Sequence, residues 1–347
     1  MKKRGLIGIG ALVMVIALLL FAAPHPSLSQ QKPIELKYAT IYPPTHAFSI
    51  ADQHWIQKIE KETNGRVKIT PYWAGSLVSA REGYQDAIGG VADIVYASIA
   101  YEKAGFDLSK GQGGFYQGMT DQETKLKIFW QLWDKYPEIR KEFANVKVIG
   151  LFTAPNMYLM TTKPVKSLAD LKGMRIKAPI ELVQPLKALG AEALIMPMTE
   201  VYESVNKGIL TGLWGSHELY KSMKFVDVVK YETDLLSVVG PIPARIMPDS
   251  AWKKLPADIQ KIFEANKEWW SIECVKEVLK VDAEGFEMAK KAGIQFSQLP
   301  AAEVQKFHDL YDAELTKSAK ALDDKGLPGT KFYQDVRKLV KEGQAKK

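Results

Sequence analysis

Ten residues in the middle of the chain predict a turn, a short strand and the start of a helix: Asp170-Leu171-Lys172-Gly173-Met174-Arg175-Ile176-Lys177-Ala178-Pro179. Leu171-Lys172-Gly173 is typical of a turn that precedes a strand. Pro179 ends the strand and suits the first turn of a helix, where a missing N–H costs nothing. The end of a strand that faces a helix N-terminus favours an anionic group. Lys177, which lies at this edge, is therefore a candidate anion-binding residue.

Strands alternate with helices on both sides of this stretch. Ile34–Thr40 alternates apolar and polar residues as a strand does, Phe48–Thr63 has helical spacing, and Arg66–Tyr72 is a second strand. A second cycle begins with the strand Met157–Thr161 and continues to a strand at Leu210–Trp214. This pattern indicates an α/β fold with parallel strands. A chain of 347 residues is too long for one small core, which favours two lobes.

Other segments connect or brace these lobes. Gly105–Gly118 has no clear periodicity and is interpreted as a long loop, and Thr120–Phe143 is interpreted as one helix. The strand Ala244–Met247 is expected to return to the first lobe. Pro256 precedes a long helix, Ala257–Ala292, whose apolar residues occupy more than one face and so can contact both lobes. Two further helices are expected at Ala301–Lys325 and Thr330–Glu342.

The N-terminus has the three parts of a secretory signal. Lys2, Lys3 and Arg4 precede an apolar run, Leu6–Ala23, and small residues follow before Gln30. We expect residues 1–29 to be a signal peptide cleaved after Ser29. An uncleaved anchor is the alternative, because the apolar run approaches a membrane-spanning length. Cleavage would leave a soluble periplasmic protein.

Composition excludes several classes of protein. Hydrophobic residues make up 46% and charged residues 25%, as in ordinary globular domains. The net charge of +7 falls to +4 without Lys2, Lys3 and Arg4. The basic residues form no dense block of the kind that would predict a nucleic-acid partner. Cys274 is the only cysteine, so no internal disulfide can form. We interpret it as a buried, unreactive thiol.

Enzyme and metal signatures are mostly missing. The chain has no His-Glu-x-x-His, no Gly-x-Ser-x-Gly and no Gly-Lys-Ser/Thr phosphate loop. His46 and His54 are eight residues apart, which does not suit a shared metal on one helix, so we expect neither metal nor cofactor. His217 with Glu218 is the one loose candidate for an acid and base pair. A cleft enzyme on this scaffold therefore remains an alternative.

Seven motifs, in order and at characteristic spacing, resemble the solute-binding proteins of tripartite ATP-independent periplasmic (TRAP) transporters, the DctP-like family. They extend over nearly the whole chain after residue 34: Pro43-Pro44 with His46, Gly65-Arg66-Val67-Lys68-Ile69, Gly75-Ser76-Leu77 before Arg81-Glu82, Gly89 with Ala92-Asp93-Ile94, Leu171-Lys172-Gly173, Thr199-Glu200-Val201-Tyr202, and Trp252 with Leu255-Pro256 and Asp258-Ile259-Gln260.

The resemblance implies a two-lobed periplasmic-binding-protein-like fold, with a ligand cleft between the lobes and a long bracing helix. The lobe boundaries that we predict divide the chain after the signal peptide. Residues 30–153 with about 244–275 form the first lobe, and residues 154–243 with about 276–347 form the second. Two strands would then cross between the lobes, and the cleft would close around the ligand like a hinge.

The resemblance also implies the site. In this family an arginine on the strand after Leu-Lys-Gly binds the ligand carboxylate, and alignment on Pro179 places Lys177 there, with Arg175 further from the strand end. Trp214 stands where many members have an acidic residue, Tyr158 where some have a second arginine, and Ser98 where some have glutamate. The complete set of expected ligand-binding residues is Lys177, Trp214, Tyr158, Arg245, Ser98, Met198, Gly215, Phe48, Tyr101 and His46.

Each of these residues has a structural alternative. Lys177 can instead be a solvated lysine at the end of a strand, and Trp214 can pack in the interior without touching a ligand. His46 can instead bond its own backbone in a turn, and Arg245, which lies among apolar residues, needs a partner anion if it is buried. Because charged family positions are replaced by aromatic and small residues, we expect a cleft with few fixed charges. Its ligand would be a monocarboxylate, aromatic or branched, in place of a dicarboxylate.

The resemblance implies partners as well. We expect a monomer that captures a small organic acid and delivers it to the small and large TRAP membrane subunits. A module that senses the ligand and reports to a signalling protein is the alternative, which the sequence does not separate from a transport receptor.

Overall fold

The structure is a computed structural model that describes residues 32–345, so the expected signal peptide, Met1–Ser29, lies outside the described residues. Its strands form two sheets, one of five strands and one of six. In chain order the strands are β1 Ile34–Ala39, β2 Val67–Tyr72, β3 Ile94–Tyr96, β4 Val146–Phe152, β5 Met157–Thr161, β6 Arg175–Lys177, β7 Glu192–Leu194, β8 Gly212–Gly215, β9 Tyr231–Ser237, β10 Ile242–Pro248 and β11 Gln295–Gln298.

The helices connect and cover these sheets. They are α1 Ala47–Glu62, α2 Gly83–Ile88, α3 Asp107–Gly111, α4 Gln122–Lys135, α5 Pro137–Glu142, α6 Val183–Ala188, α7 Met198–Asn206, α8 Glu218–Ser222, α9 Asp249–Trp252, α10 Ala257–Lys291, α11 Ala301–Asp324 and α12 Gly329–Ala345. Short 3₁₀ turns lie at Ile99–Tyr101, Gly113–Tyr116, Leu168–Leu171, Ile180–Leu182 and Phe225–Asp227.

Three local predictions from the sequence differ from the structure. The expected loop Gly105–Gly118 contains α3 and a 3₁₀ turn. The expected single helix Thr120–Phe143 is two helices, because Pro137 cannot continue α4 and instead begins α5. Strand β11 was not predicted; its residues are mostly exposed, and it pairs only with β9 at the edge of its sheet.

The first sheet has the strand order β2-β1-β3-β10-β4. β1 runs parallel to β2 and to β3, whereas β10 runs antiparallel to β3 and β4. The strand expected to return to the first lobe therefore does so, in the middle of the sheet. Since β1 and β3 end at the same edge, the residues that follow them meet there.

The second sheet has the order β11-β9-β5-β8-β6-β7. β6 is parallel to β7 and β8, and β5 is antiparallel to β8 and β9. The carboxyl ends of β6 and β8 consequently lie side by side, directly before Ala178 and Ser216. Residues 170–179 thus supply β6, which lies between β8 and the edge strand β7.

The chain crosses between the sheets by short segments after β4 and after β9, and a third time through α10, which leads from β10 to β11 and packs on both halves. α10 contacts α1 and β4 of the first half and α8 of the second. This arrangement confirms the predicted two-lobed α/β fold and its bracing helix. No helix within residues 32–345 combines the length and the apolar character that crossing a membrane requires.

The lobe boundaries stay a prediction, because the C-terminal helices contact both halves of the chain. α12 packs on α4 and on the turn Gly113–Tyr116, and α11 contacts both α3 and α6. Arg337 of α12 donates to the carbonyl oxygen of Phe115 at 3.2 Å. These two helices therefore tie together elements that lie on either side of the first crossover.

Lys125 holds the two crossovers together. Its side chain is fully buried on α4, and its Nζ donates to the carbonyl oxygens of Ala154 at 3.0 Å and Val239 at 3.1 Å. Ala154 follows β4 and Val239 follows β9, so one ammonium group bonds both connecting segments. Burial lowers the pKa of Lys125 to about 7.

An ion pair lies in the core of the first lobe. Arg245 and Asp52 are both fully buried, with Arg245 Nε 2.8 Å from Asp52 Oδ1. Trp270 of α10 donates to the same carboxylate oxygen at 2.9 Å, and its ring lies 4.9 Å from the guanidinium carbon. A side chain at Gly150 would meet Arg245, since an added Cβ would lie 2.9 Å from its Cδ. Burial opposes the charge of Arg245, but the Asp52 carboxylate outweighs it and raises the pKa of the guanidinium.

We predict that Asp52→Ala lowers the free energy of unfolding by about 3–5 kcal/mol, because it leaves a buried guanidinium without its carboxylate. Urea denaturation measures the loss. Asp258→Ala is the matched control, since Asp258 pairs with Arg66 at the surface and its loss should cost less than about 1 kcal/mol. The double variant Asp52→Leu/Arg245→Met should regain most of the lost stability. Equal stabilities of Asp52→Ala and the wild type would contradict this account.

Candidate functional site

A cavity lies between the lobes, where the carboxyl ends of β6 and β8 face the segments that follow β1 and β3. Its volume is about 170 Å³. The residues that line it come from both lobes and from both crossovers: Tyr42, His46, Phe48, Tyr96, Ser98, Ile99, Ala100, Tyr101, Ser109, Lys110, Gly113, Phe152, Ala154, Pro155, Met157, Lys177, Ala178, Pro179, Ile180, Glu181, Ile195, Met198, Gly215, Ser216, Glu218, Leu219, Val239 and Ile242.

Lys177 brings an ammonium group to this cavity from the last position of β6. Only 7% of the residue is exposed, and no hydrogen bond or ion pair within 4 Å joins its side chain to another residue of the described chain. Burial lowers its pKa to about 8, and the charge of Glu181 opposes that shift. A buried cation without a bonded anion is costly, so this position favours an anionic ligand.

Glu181 lies four residues after Lys177, in the turn that follows Pro179. It is buried, and its Oε1 has no hydrogen-bond partner among the described residues. Burial raises its pKa to about 7, whereas the Lys177 charge lowers it. When Glu181 is ionised it partly cancels the positive potential of Lys177. The protonation state of Glu181 therefore adjusts how strongly the cavity attracts an anion.

The first lobe contributes the aromatic wall. Tyr42 and Phe48 pack edge to face with ring centres 5.1 Å apart, and Phe152 lies 4.9 Å from Phe48. His46 packs between them and also caps α1, because its Nδ1 accepts a hydrogen bond from the Phe48 backbone N–H at 3.2 Å. Burial lowers the pKa of His46 to about 3, so its imidazole is neutral. His46 thus has the turn role that the sequence analysis left open and also lines the cavity.

The structure brings seven of the ten expected residues to this cavity: Lys177, Ser98, Met198, Gly215, Phe48, Tyr101 and His46. Ser98 and Tyr101 follow β3, whereas Met198 begins α7 and Gly215 ends β8. Residues that are more than a hundred positions apart in the chain therefore face one another across the cleft. Their contact with a ligand stays a prediction.

Trp214 and Tyr158 lie outside the cavity, on opposite faces of the second sheet. Tyr158 is paired directly with Gly215, and successive side chains of a strand point to opposite faces, so the rings of Tyr158 and Trp214 point away from each other. The Trp214 ring is fully buried and stacks on Phe307 of α11 at 5.6 Å. Tyr158 stacks on His217 at 4.4 Å. Both rings therefore pack against the rest of the protein and not against the cavity.

Arg245 is also outside the cavity. The partner anion that the sequence analysis required is Asp52 of the same chain, and Arg245 further donates to the Leu151 carbonyl oxygen at 3.1 Å. Arg175 lies at the surface and pairs with Glu192 of the neighbouring strand at 3.1 Å. Of Lys177, Arg175 and Arg245, only Lys177 lines the cavity.

The cavity contains more charged residues than the sequence analysis expected. Lys110, Lys177, Glu181 and Glu218 all line it. Lys110 donates to the carbonyl oxygen of Glu102 at 2.6 Å and so has a partner of its own. Neither Glu181 nor Glu218 is among the expected ligand-binding residues, although Glu218 is the candidate acid and base partner of His217. The sequence signal for both is their closeness to an expected residue, since Glu181 lies four residues after Lys177 and Glu218 three after Gly215.

The candidate acid and base pair is divided between two environments. Glu218 lines the cavity. His217 does not line it; this residue bonds to Glu232 at 2.8 Å and lies 3.7 Å from Asp282. Burial disfavours the His217 cation, but hydrogen bonds to these carboxylates raise its pKa to about 9. A histidine held in the charged form is poorly suited to act as a base, so this geometry does not assemble the pair.

Among residues 32–345, one group has metal-ligand geometry. His54, Glu273 and Glu277 place ligand atoms within 4.8 Å of one another, on α1 and α10. His54 already bonds to Glu273 at 2.9 Å, and Lys276 and Lys280 lie 3.9 Å and 3.8 Å from the two carboxylates. These ion pairs account for the group without a metal.

The fold and the cleft define a two-lobed α/β binding protein, and comparison with known proteins gives its family. The family model for DctP, the bacterial extracellular solute-binding proteins of family 7, matches residues 38–321. The chain belongs to this family, which comprises the solute-binding receptors of TRAP transporters. The resemblance inferred from the motifs is thereby confirmed.

Three relatives illustrate the match. A TRAP periplasmic solute-binding protein of Desulfovibrio salexigens is 28% identical, with a TM-score of 0.73 over 88% of this chain and 95% of that one. A TRAP solute-binding protein of Rhodoferax ferrireducens, in complex with copurified benzoate, is 22% identical, with a TM-score of 0.81 over 90% and 99%. A monocarboxylate 2-oxoacid-binding periplasmic protein of Nostoc is 24% identical over 277 residues, covering 76% of this chain and 74% of its own.

An ion pair joins the lobes at the mouth of the cleft. Arg81 precedes α2 and Glu200 lies on α7, and Arg81 Nη2 donates to Glu200 Oε2 at 2.9 Å while Nη1 bonds the other carboxylate oxygen. Both side chains are about half exposed, so the pair is screened by water and salt. Because its members belong to different lobes, opening the cleft separates them.

We predict that Arg81→Glu shifts the ligand-free protein toward open conformations, since it places two carboxylates across the mouth. The ratio of open to closed molecules should change about two- to fivefold, because an exposed ion pair contributes up to about 1 kcal/mol of stabilisation. Small-angle scattering at low salt should show a larger radius of gyration. Arg81→Glu/Glu200→Arg should restore the wild-type value, and a single variant that scatters like the wild type would contradict the prediction.

Proposed function

We propose that this protein is an exported receptor that binds a small organic monocarboxylate between its lobes and delivers it to TRAP membrane subunits. The observation that supports it most directly is Lys177, a buried ammonium group that lines the cavity and has no bonded anion in the described chain. Export is supported by the signal pattern at residues 1–29 and by the family. An N-terminus near Gln30 in mass spectra of the periplasmic fraction would establish cleavage.

The balance of charge supports one carboxylate and not two. Lys110, the other lysine that lines the cavity, bonds to the Glu102 carbonyl oxygen, so Lys177 remains to pair with a single anionic group, while Glu181 and Glu218 would repel a second one when ionised. The aromatic wall of Tyr42, Phe48 and Phe152 offers apolar contact to the rest of the ligand.

The size of the cavity supports a small ligand. A cavity of about 150 Å³ in a protein core is large enough to hold benzene. The volume of about 170 Å³ here therefore suits an acid with one ring or a short branched chain. The ligands named for the relatives from Nostoc and Rhodoferax, a monocarboxylate 2-oxoacid and benzoate, are acids of this size class.

A thermal-shift screen tests the proposal with monocarboxylates such as benzoate, pyruvate and 3-methylbutanoate, and with succinate and malate as dicarboxylates. At 100 times its Kd a ligand should stabilise the protein by about 2.7 kcal/mol. We expect a monocarboxylate to give the largest shift. If succinate or malate binds most tightly, this account of the cavity is wrong.

We predict that Lys177→Met weakens binding of the tightest acid in that panel by about 1.5–3 kcal/mol, or about ten- to a hundredfold. This is the range for a charge-assisted hydrogen bond, and the apolar methionine stem keeps the packing. Lys187→Met is the control, because it removes the same charge from an exposed position of α6. Calorimetry that finds equal affinity in Lys177→Met and the wild type would contradict the assigned role.

We predict that the affinity for this acid falls by about tenfold or more between pH 6 and pH 9. With pKa values near 7 for Glu181 and near 8 for Lys177, a rise in pH first adds a negative charge and then removes the positive one. Glu181→Gln should reduce the step near pH 7, where Glu218 also titrates, and raise the affinity at pH 8. A pH-independent Kd in the wild type, or an unchanged profile in Glu181→Gln, would argue against this coupling.

A further inference from the structure

Glu218 brings a carboxyl group to the wall of the cavity, where no basic residue neutralises it. Only 4% of the residue is exposed. Within the described chain it forms no ion pair with a lysine, arginine or histidine, and the Ser222 hydroxyl donates to its Oε2. A buried acid that faces a binding cavity in this way requires either protonation or a polar ligand group.

The position of Glu218 is fixed by the packing of α8 on α10. Its backbone N–H donates to Asp282 Oδ1 at 2.9 Å. The two helices touch directly at Gly285, where an added Cβ would lie 2.0 Å from the carbonyl oxygen of His217. The backbone of Glu218 therefore cannot move away from the cavity without displacing α10, which also braces the first lobe.

Glu218 and Lys177 offer two different polar contacts to one ligand. Lys177 ends β6, whereas Glu218 follows the neighbouring strand β8, and no hydrogen bond or ion pair joins the two side chains. Glu181 faces Lys177, and the groups that act on Glu218 are Ser222, Ser216 and Asp282. A ligand whose carboxylate pairs with Lys177 therefore also meets the carboxyl group of Glu218, which has no bond to Lys177.

The chemistry of a carboxyl group limits what the ligand can present to it. An apolar group would leave the acid unpaired, and a second carboxylate would be repelled by the ionised form. A hydroxyl group both donates and accepts hydrogen bonds, so it can pair with the ionised and with the protonated acid. Burial raises the pKa of Glu218 to about 7, so both forms are populated near neutral pH.

We infer that the ligand is a hydroxy-substituted monocarboxylate, whose carboxylate contacts Lys177 and whose hydroxyl group hydrogen-bonds to Glu218. This inference rests on the proposed function, because it assumes that Lys177 binds the carboxylate. Glu218 is then a specificity-determining residue, which rejects acids that lack the hydroxyl group by leaving its own carboxyl unpaired.

Calorimetry on matched pairs of acids tests the inference: 3-hydroxybenzoate with benzoate, 3-hydroxyphenylacetate or mandelate with phenylacetate, and lactate with propionate. We expect the hydroxy acid to bind wild-type protein about tenfold or more tightly than its parent in at least one pair. In Glu218→Leu the preference should fall to within about threefold, while the affinity for the parent acid changes little. Glu218→Gln, which keeps a donor and an acceptor, should retain most of the preference.

Ser222→Ala controls for a general disturbance of α8, because it removes the Ser222 bond but keeps the carboxyl group. It should preserve the preference. Acids that bind with no hydroxyl preference in any pair, or a preference that survives Glu218→Leu, would overturn the inference and leave the proposed function standing. Binding of none of the acids would overturn both. The comparison of matched acids on wild-type protein shows whether the hydroxyl preference exists, even if a variant fails to fold.

Discussion

The cavity of this protein depends on the two short segments, after β4 and after β9, by which the chain crosses between its two sheets. Each crossing segment has backbone carbonyl groups that cannot join a sheet, and Lys125 bonds one from each segment while itself fully buried. Gln112 donates to the Pro241 carbonyl oxygen at 2.7 Å, and Gly240 donates to the Gly113 carbonyl oxygen at 2.7 Å. The crossovers are thereby fixed to the helical layer of residues 107–135.

Buried charges in this fold have two different physical roles, and their partners distinguish them. Arg245 is fully buried and has a carboxylate, a carbonyl group and two aromatic rings of its own chain around it, so its requirements are met without a ligand. Lys177 is almost as buried but has no bonded anion within the described residues. The cost of burying a charge is the same in both places, and only at Lys177 is it left for another molecule to offset.

The acids of the cavity add a second level of control. Glu181 weakens the potential of Lys177 when it ionises, and Glu218 requires a hydrogen-bonding group at a different point of the wall. A cavity with one cation that lacks a hydrogen bond in the described chain, two buried acids and an aromatic wall offers a ligand both polar and apolar contacts. The membership of the chain in the DctP family is established by the match over residues 38–321.

The sequence by itself determined the alternation of strands and helices, the family, and the strand end at Lys177, because hydrophobic periodicity, proline and glycine positions and ordered motifs are local properties of the chain. It did not determine which residues at a strand end reach the cavity: Trp214 and Gly215 are adjacent in sequence, yet the Trp214 ring packs on Phe307, whereas Gly215 lines the cleft. Nor did it pair Arg245 with Asp52, 193 positions away, or bring Glu181 and Glu218 into one cavity. Those outcomes depend on contacts between distant segments, which only the tertiary structure specifies.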